Sequence, residues 1–250
     1  MRVSQTDTPS AAQVLARARE LAGPAHRAAV DLLPAEIRQV AGYHAGWWDA
    51  DGRASAVEGK TVRPALTLAC AVAAGGTATM ATAAILATTV VDAAVAVELV
   101  HDFSLLHDDV MDGDLTRRHR PTAWAVFGVP QTILAGDALL TAAIRQLAGT
   151  GQDPATAGVM LRVLSAAVGE LCAGQARDLA FEARGDVTVA ECTAMTGAKT
   201  GALLGAAREL GALAAGADTQ RARCYRVFGR RLGLAFQLAD DLLGSGGTRR

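Results

Sequence analysis

The sequence predicts an all-α protein, a large helical bundle, on three features of its composition. Hydrophobic residues make up 51% of the 250 residues, whereas aromatic residues make up only 4%. Most of the apolar content is alanine and leucine, which are strong helix formers. β-branched residues come mainly in short clusters such as 88–91, so no extended strand pattern competes with the helices.

The order of the helices follows from apolar runs and from the residues that interrupt them. Pro24 is expected to open a second helix, because proline is tolerated in a first turn. The stretch 46–60 has the composition of a loop, and Asp186 and Asp218 are expected N-caps. Helices are therefore expected over residues 11–22, 24–43, 62–74, 80–113, 131–148, 155–183, 188–214 and 219–243.

The segments outside these helices are expected to be irregular or disordered. Residues 115–130 contain two prolines and a glycine, which disfavour regular structure. Disorder is expected for residues 1–10 and 245–250. No internal repeat and no linker divides the chain, so residues 1–250 are interpreted as a single domain.

Charge and cysteine usage exclude several classes of protein. The net charge of −1 provides no global field for nucleic acid or an anionic membrane, so no nucleic-acid partner is expected. The sequence has no recognisable signal peptide, and its cysteines do not follow metal-ligand spacing. They are expected to be buried, reduced thiols of a cytoplasmic protein, and they occupy positions 70, 172, 192 and 224.

One apolar stretch is long enough to raise the question of a membrane span. Residues 64–91 carry no charge, and a span needs about 20 apolar residues. Gly75 and Gly76 interrupt the stretch, and its threonines and alanines lower its hydrophobicity. Two enclosed core helices are therefore expected rather than a transmembrane helix.

Two groups of aspartates stand late in otherwise apolar helices. Asp108 and Asp112 share one helical face, and Asp109 lies close to it. Gln237 is followed by Asp240 and Asp241, again at helical spacing. Buried carboxylates need a cation, and oxygen ligands of this kind suit Mg²⁺ together with substrate phosphates. The sequence therefore indicates a magnesium-dependent phosphate site between two helices.

The basic residues near these groups point to the same type of ligand. Arg117 and Arg118 follow the first aspartate group, and guanidinium groups pair well with phosphate oxygens. The chain has 22 arginines and only two lysines, Lys60 and Lys199. Lys60 stands in a loop before a helix with Arg63, and Lys199 stands beside a threonine in an apolar helix. Both lysines therefore lie at candidate anion sites, and the ligand that fits is a diphosphate.

These motifs resemble those of the trans-isoprenyl diphosphate synthases, the polyprenyl synthetase family. The first aspartate-rich motif of that family, D-D-x-x-D followed by R-R and P-T, is matched within 108–122. The further matches are G-K-x-x-R-P at 59–64, E-x-x-H at 98–101, G-Q-x-x-D-L at 174–179, K-T at 199–200 and F-Q-x-x-D-D at 236–241. The resemblance extends over residues 57–243 and is greatest to bacterial geranylgeranyl diphosphate synthases.

The resemblance implies a fold and an activity. The fold would be a helical bundle of the isoprenoid synthase type with a central cavity, and the protein would be a homodimer. The activity would be the Mg²⁺-dependent condensation of isopentenyl diphosphate with an allylic diphosphate. Chemistry would rest on Asp108, Asp109, Asp112, Arg117 and Lys199.

The resemblance also implies a role for each matched residue. Two or three Mg²⁺ ions would be held by Asp108, Asp109, Asp112, Asp240 and Asp241. The allylic diphosphate would contact Arg117, Lys199, Thr200 and Gln237. Isopentenyl diphosphate would contact Lys60, Arg63, His101 and Arg118. Product length would be set by Phe103 and Ser104, with a C20 product expected and C15 as its neighbour.

Three departures from the family pattern leave alternatives open. Gly244 replaces the last aspartate of the second motif, His119 replaces a usual glycine, and the family's C-terminal helices are expected to be missing after residue 243. An inactive or partner-dependent synthase subunit is therefore one alternative, and a terpene cyclase is another. A third is an HD-type phosphohydrolase whose metal ligands would come from His101-Asp102, His107-Asp108 and His26 or His44.

Overall fold

The computed structural model describes residues 9–55, 61–75 and 80–245, without the side chains of 80–87, 240, 241 and 243–245. Across these residues the fold is all-α, as predicted, apart from one short hairpin and an isolated bridge. The elements are α1 (Ala11–Asp31), α2 (Ala35–Ala45), α3 (Val62–Ala73), α4 (Met80–Met111), β1 (Thr116–Arg117), β2 (Arg120–Pro121), α5 (Ala123–Phe127), α6 (Val129–Ala148), α7 (Pro154–Glu182), α8 (Val189–Thr196), a π-helical turn (Gly197–Gly201), α9 (Ala202–Ala214) and α10 (Thr219–Ser245).

The core is organised around α4 and α9. Along α4, residues 93–97 are fully buried, because this part of the helix has apolar residues on every face. Every residue of α9 is buried. Helices α1, α3, α6 and α9 pack around α4, while α3, α7 and α10 pack around α9. Of the two core helices expected in the uncharged stretch, α4 is enclosed at 93–97, whereas α3 is only partly buried, with Val72 82% exposed.

The N-terminal helices differ from the prediction at Pro24. That residue lies inside α1 instead of opening a new helix, and the chain first breaks between Asp31 and Ala35. A proline inside a helix removes one backbone hydrogen bond, and here the buried alanine face of α1 continues on both sides of it. Ser10 lies in the segment expected to be disordered, but it caps α1 through a capping box with Gln13. Residues 1–8 and 246–250 lie outside the described residues.

The two predicted aspartate caps have different outcomes. The Asp218 carboxylate accepts a hydrogen bond from the backbone N–H of Arg221 at 2.8 Å, so it caps α10 as predicted. Asp186 does not cap α8, because its carboxylate accepts instead from the Arg184 side chain. The cap of α8 is Thr188, in a capping box with Glu191.

The segment expected to be irregular contains a hairpin and the short helix α5. Strands β1 and β2 pair antiparallel through a two-residue turn at Arg118 and His119. Both turn residues are left-handed, with φ of 52° and 62°, a geometry that two-residue hairpins favour but that side chains other than glycine resist. The hairpin thus accounts for the usual glycine at the position of His119.

The exposure of the cysteines and the lengths of the apolar helices differ in part from the predictions. Only Cys70 is buried as expected, whereas the free thiols of Cys172, Cys192 and Cys224 are exposed. Within the stretch considered as a possible span, α3 is only 12 residues long. In the described part of the chain, α7 alone is long and apolar enough to cross a membrane, with 33% of its most apolar window buried. Length and composition of this kind also occur in core helices of globular proteins.

Candidate active site at the C-terminal end of helix α4

The predicted carboxylates lie at the C-terminal end of α4, Asp108 and Asp109 in its last turn and Asp112 directly after it. Asp108 and Asp109 are 9% and 1% exposed, whereas Asp112 is exposed. Asp109 Oδ1 accepts from Arg117, at 2.7 Å from Nε and 2.5 Å from Nη2. Asp109 Oδ2 is buried and has no hydrogen-bond partner among the described residues. One oxygen of this carboxylate is therefore paired with a cation, and the other is available to a ligand.

The hairpin that carries Arg117 and Arg118 is fixed by its neighbours. The Tyr43 hydroxyl donates to the Pro121 carbonyl at 2.8 Å, and the Arg120 guanidinium donates to the Trp48 carbonyl at 3.0 Å. Arg120 also lies over the Tyr43 ring, 4.5 Å from its centroid. These contacts from α2 and the loop after it hold the turn against the bundle, so the hairpin is a supported element and not a free loop.

Helix α7 and the π-helical turn bring further polar groups to the same place. Gln175 Nε2 donates to Asp112 Oδ1 at 3.0 Å, and Lys199 Nζ donates to Asp178 Oδ2 at 2.6 Å. Gly174 allows this approach, because a Cβ there would lie 2.5 Å from the Lys199 backbone nitrogen. The residues of three elements thus converge beside the aspartates.

Helix α10 joins this group through the π-helical turn. The Thr200 hydroxyl donates to Gln237 Oε1 at 3.2 Å. Asp240 and Asp241 follow Gln237 along α10, but their side chains lie outside the described residues. Lys60 lies outside them as well. Their predicted roles in metal and substrate binding stay predictions.

Gln175 and Asp178 are candidate site residues that sequence reasoning did not assign. Both belong to the G-Q-x-x-D-L element, which was matched to the family without a role. The signal that could have found them is an amide and a carboxylate three residues apart on an apolar helix. Their partners are on α4 and on the π-helical turn, far away in sequence, and spacing alone does not predict such pairs.

The carboxylates and cations of this site shift one another's pKa values. Burial raises the pKa of Asp108 to about 6; Lys199 opposes that rise, and the charges of Asp112 and Asp109 add to it. Burial lowers the pKa of Lys199, but Asp178 and then Asp108 outweigh it, so the pKa is raised. The ammonium group is therefore fixed as a cation, whereas the carboxylate of Asp108 carries its charge at a cost.

The donor set fits a divalent cation of the magnesium type. The carboxylate oxygens of Asp108 and Asp112 and the unpaired Asp109 Oδ2 are hard ligands, which Mg²⁺ prefers. No three His, Cys, Asp or Glu side chains in the described part of the chain form a group able to hold an ion by themselves. Mg²⁺ commonly binds through one or two carboxylates and completes its shell with water and substrate phosphates.

A second polar region lies nearer the N-terminus of α4, beside Glu98 and Asp102. A cavity of about 100 Å³ there is bordered by α1, α3 and α4, and its lining includes Arg118, Glu98 and Asp102. Arg63 Nε and Glu98 Oε2 are buried without a hydrogen-bond partner among the described residues. Glu98 lines this cavity. Unpaired buried polar atoms are uncommon in native structures, so a polar ligand beside them would offset the cost of their burial.

Burial also controls the protonation of this region. It raises the pKa of Glu98 to about 7, helped by Asp102 and opposed by Arg63. It lowers the pKa of His101 well below the usual value, with Arg63 acting in the same direction. The His101 imidazole is consequently neutral at pH 7 and can donate one N–H.

The histidines proposed for an HD-type site meet at Asp102. His26 Nε2 lies 3.1 Å from Asp102 Oδ2, and His44 Nε2 lies 3.9 Å from Oδ1. The three side chains are nearly enclosed between α1, α2 and α4. The arrangement is a buried histidine–carboxylate pair with a second histidine beside it, and it is not among groups able to hold a metal in the described residues.

The two residues predicted to limit product length are buried behind Asp108. Phe103 is 7% exposed, and its ring meets the His107 ring edge-on at 4.8 Å between centroids. The Ser104 hydroxyl donates to the His101 carbonyl at 2.8 Å within the same helix. Both side chains are therefore enclosed within the bundle, and their role in limiting product length stays a prediction.

Comparisons with known proteins agree with this geometry. A family model described as Polyprenyl synthetase matches residues 52–249. The chain is 47% identical over 232 residues to a (2E,6E)-farnesyl diphosphate synthase and 45% identical to a geranylgeranyl diphosphate synthase, both of Mycobacterium tuberculosis. Each match covers 92% of this chain, and the chain spans only 62% and 63% of these two relatives.

A solved structure extends the likeness to the fold. The crystal structure of a polyprenyl synthetase from Streptomyces coelicolor A3(2) superposes with a TM-score of 0.86 at 47% identity. The match covers 94% of this chain and 67% of that one. Because the family model accounts for most of the chain and the structural agreement is close, the chain belongs to the polyprenyl synthetase family.

Proposed function

We propose that this chain catalyses the Mg²⁺-dependent condensation of isopentenyl diphosphate with an allylic diphosphate. The single observation that carries the proposal is the convergence of carboxylates and cations at the end of α4. Asp109 is bonded to Arg117, Asp112 to Gln175, and Lys199 to Asp178. Carboxylates bind metal cations, and guanidinium and ammonium groups bind phosphate oxygens. A diphosphate with bound Mg²⁺ offers partners to both kinds of group.

The allylic diphosphate would bind at this group of residues. Asp108, Asp109 and Asp112 would hold the magnesium, while Arg117 and Lys199 would pair with phosphate oxygens. Thr200 and Gln237 would contact the same diphosphate from the π-helical turn and α10. When bound, the metal supplies positive charge that offsets the negative charge developing on the leaving group.

Isopentenyl diphosphate would bind at the second cavity, beside Glu98 and Asp102 of α4. Arg118 lines that cavity, and the resemblance assigns Lys60, Arg63 and His101 to the same substrate. The buried, unpaired Arg63 Nε favours an anion there, because a buried donor without a partner is costly. His101, neutral because burial lowers its pKa, would donate a hydrogen bond without adding charge.

The reaction then requires positioning more than side-chain chemistry. The C–O bond of the allylic substrate breaks, and its electron pair leaves with the diphosphate. The double bond of isopentenyl diphosphate supplies the electron pair of the new C–C bond, and one proton passes to the departing diphosphate. The apolar wall around Phe103 would exclude water from the allylic cation. No nucleophilic side chain is needed.

Product length, assembly and location belong to the same proposal. The buried ring of Phe103 would stop elongation at C20, and the relatives named as farnesyl and geranylgeranyl synthases make C15 its closest competitor. The protein would act as a homodimer, as the resemblance implies, and in the cytoplasm, as the pattern of its cysteines indicates.

The test is incubation with Mg²⁺, isopentenyl diphosphate and labelled allylic diphosphates of C5, C10 and C15. Elongated prenyl diphosphates are expected, and a Lys199→Gln variant should lose this activity, because it lacks the ammonium that pairs with Asp178 and the phosphate. A Lys199→Arg variant, which keeps the charge in a different shape, serves as the matched control and should retain more activity.

Other products would replace the proposal with a different function. Cyclised hydrocarbon would indicate a terpene cyclase, and phosphate release without elongation would indicate a hydrolase. Turnover that requires a second protein would indicate a partner-dependent subunit. Absence of every reaction, with and without the M. tuberculosis relatives as added partners, would contradict the proposal.

A further inference from the structure

The His107 ring is held between α4 and α6, directly behind the first aspartate of the motif. It meets the Phe103 ring at 4.8 Å between centroids and 69° between planes. His107 is partly buried, and Phe103 is almost fully buried. An edge-on contact of this kind orients both rings, since each ring limits the rotation of the other.

A hydrogen bond fixes the other side of the His107 ring. Nε2 lies 3.1 Å from the backbone carbonyl oxygen of Ile133 on α6. A carbonyl oxygen can only accept, so Nε2 carries the proton and donates. Asp137 Oδ1 lies 3.8 Å from the same nitrogen, and its side chain is mostly exposed. The ring is thus anchored to α6 by its donor and to Phe103 by its edge.

Gly136 provides the space in which the ring sits. A Cβ at this position would lie 2.3 Å from His107 Nε2 and 2.4 Å from Cδ2, closer than any stable contact. The clash would fall on the end of a side chain, so the imidazole would move and the helices could stay in place. Position 136 therefore controls the orientation of His107 from a different helix.

We propose that His107 and Gly136 are positioning residues that hold the Phe103 ring in place and thereby set the length of prenyl tail that the pocket accepts. The inference rests on the proposed function, in which Phe103 forms the end of the pocket. Neither residue touches the diphosphate in this proposal. Their effect passes through the Phe103 ring, whose freedom to turn decides whether a longer tail can pass.

The experiment measures tail length in two ways. Binding of non-reacting S-thiolodiphosphates with C10, C15, C20 and C25 tails in the presence of Mg²⁺ gives the accepted length without chemistry. Product analysis after elongation gives the length at which the reaction stops. The variants are Gly136→Ala, His107→Ala and Phe103→Ala. Gly169→Ala on α7 is the matched control, because a Cβ there meets nothing within 4 Å.

The expected result is a change in the length of prenyl tail that the protein accepts, and not only a change in the elongation rate. Gly136→Ala and His107→Ala should bind the C25 tail at least about tenfold more tightly relative to C15 than the wild type does, and should form longer products. Phe103→Ala should do the same. Adding Gly136→Ala to Phe103→Ala should cause little further shift, because both changes act on one ring. Gly169→Ala should match the wild type.

Several outcomes would overturn the inference. If the Gly136 and His107 variants keep the wild-type length preference, or shift it by the same factor with and without Phe103, they do not act through that ring. His107→Gln, which keeps a donor for the Ile133 carbonyl but no aromatic edge, covers the case in which His107→Ala fails to fold. It should also accept longer tails, and an unchanged preference in this variant would contradict the role of the ring.

The two readouts separate this inference from the proposed function. If wild-type protein binds the thiolodiphosphates with a length limit but never elongates a substrate, the condensation proposal fails, and the variants still test the positioning role in binding. If elongation proceeds while the variants leave the length unchanged, the positioning role fails, and the proposed function stands.

Discussion

Two buried aspartates on helix α4, Asp102 and Asp108, have almost equal exposure and opposite electrostatic states. They are 8% and 9% exposed. Burial by itself would raise the pKa of both, but the pKa of Asp102 is lowered to about 2 and that of Asp108 is raised to about 6. The exposure of these two carboxylates and their location on one helix therefore do not determine their pKa values.

The difference comes from what each carboxylate faces. Asp102 lies against His26 and near His44, and these histidines more than offset its burial. Asp108 faces Lys199 and Arg117, but also the carboxylates of the same motif. The protein thus satisfies one aspartate internally and leaves the other in need of a cation, which is the state expected of a structural residue and of a ligand-binding residue, respectively.

The largest expected contrast between the two aspartates is catalytic. Asp108→Asn should lower the elongation rate by about 10²–10³-fold, because it removes charge that holds magnesium beside the leaving group. Asp102→Asn should lower the elongation rate by less than about tenfold per folded molecule, because the Asp102 carboxylate is paired with His26 and, although it lines the second cavity, would not hold a magnesium ion. Steady-state rates at saturating Mg²⁺ check this, and equal losses would remove the distinction.

The stability of the two variants should change in opposite directions. A carboxyl whose pKa drops from 3.8 to about 2 on folding stabilises the fold by about 2 kcal/mol above pH 4, and this contribution is lost as the pH falls towards 2. Asp102→Asn should therefore lower the free energy of unfolding at pH 7 by about that amount.

A carboxyl whose pKa rises from 3.8 to about 6 acts the other way. Its protonated form is favoured on folding, so that contribution is present below pH 4 and is lost as the pH rises through 6, which amounts to about 3 kcal/mol. Asp108→Asn should raise the free energy of unfolding at pH 7 and flatten its dependence on pH between 4 and 6. Urea unfolding of both variants without added metal checks the signs, and two changes of one sign would contradict them.

Ligand addition should sharpen the same contrast. Mg²⁺ with inorganic diphosphate at about 100 times the dissociation constant should stabilise the wild type and Asp102→Asn by about 2.7 kcal/mol. Asp108→Asn should respond much less, and chelation with EDTA should reverse the effect where it occurs. Thermal unfolding with and without the ligands measures it, and a full response from Asp108→Asn would place the metal elsewhere.

The smallest expected effect concerns the hairpin beside the site. His119→Gly should raise the free energy of unfolding by about 0.5–1 kcal/mol, because glycine adopts the φ of 62° without strain. Arg120→Gly, at a strand position whose guanidinium bonds the Trp48 carbonyl, is the contrasting variant and should destabilise the protein. A destabilising His119→Gly would mean that the imidazole contributes more than its backbone costs.

The helical fold was predictable from the sequence because it depends on local preferences. Alanine- and leucine-rich segments favour helices through their own residues, whatever their tertiary contacts. Asp218 caps α10 because it directly precedes the first residue of that helix. The place of Pro24 inside α1 is not predictable in this way, because it depends on packing against other helices. Thr188 was missed as a cap, although the capping box it forms with Glu191 is visible in the sequence.

The candidate site was predictable in its parts and not in its pairings. Spacing placed Asp108, Asp109 and Asp112 together on one helix, since helical geometry relates near neighbours. It could not pair Lys199 with Asp178 or Asp102 with His26, because those contacts join helices far apart in the chain. Buried charges depend on such contacts, so their protonation was beyond sequence reasoning as well.

The π-helical turn at Gly197–Gly201 has a consequence for how this protein tolerates insertions and deletions. Such a turn holds one residue more than the α-helical hydrogen-bonding pattern would accommodate. Deleting a single residue there would restore regular winding, and α8 would rotate by about 100° relative to the buried α9. The ammonium group of Lys199 would then point away from its carboxylate partner. The number of residues in this turn is therefore constrained, because a deletion would misdirect the Lys199 side chain. The identity of that residue is constrained as well, because its positive charge is needed.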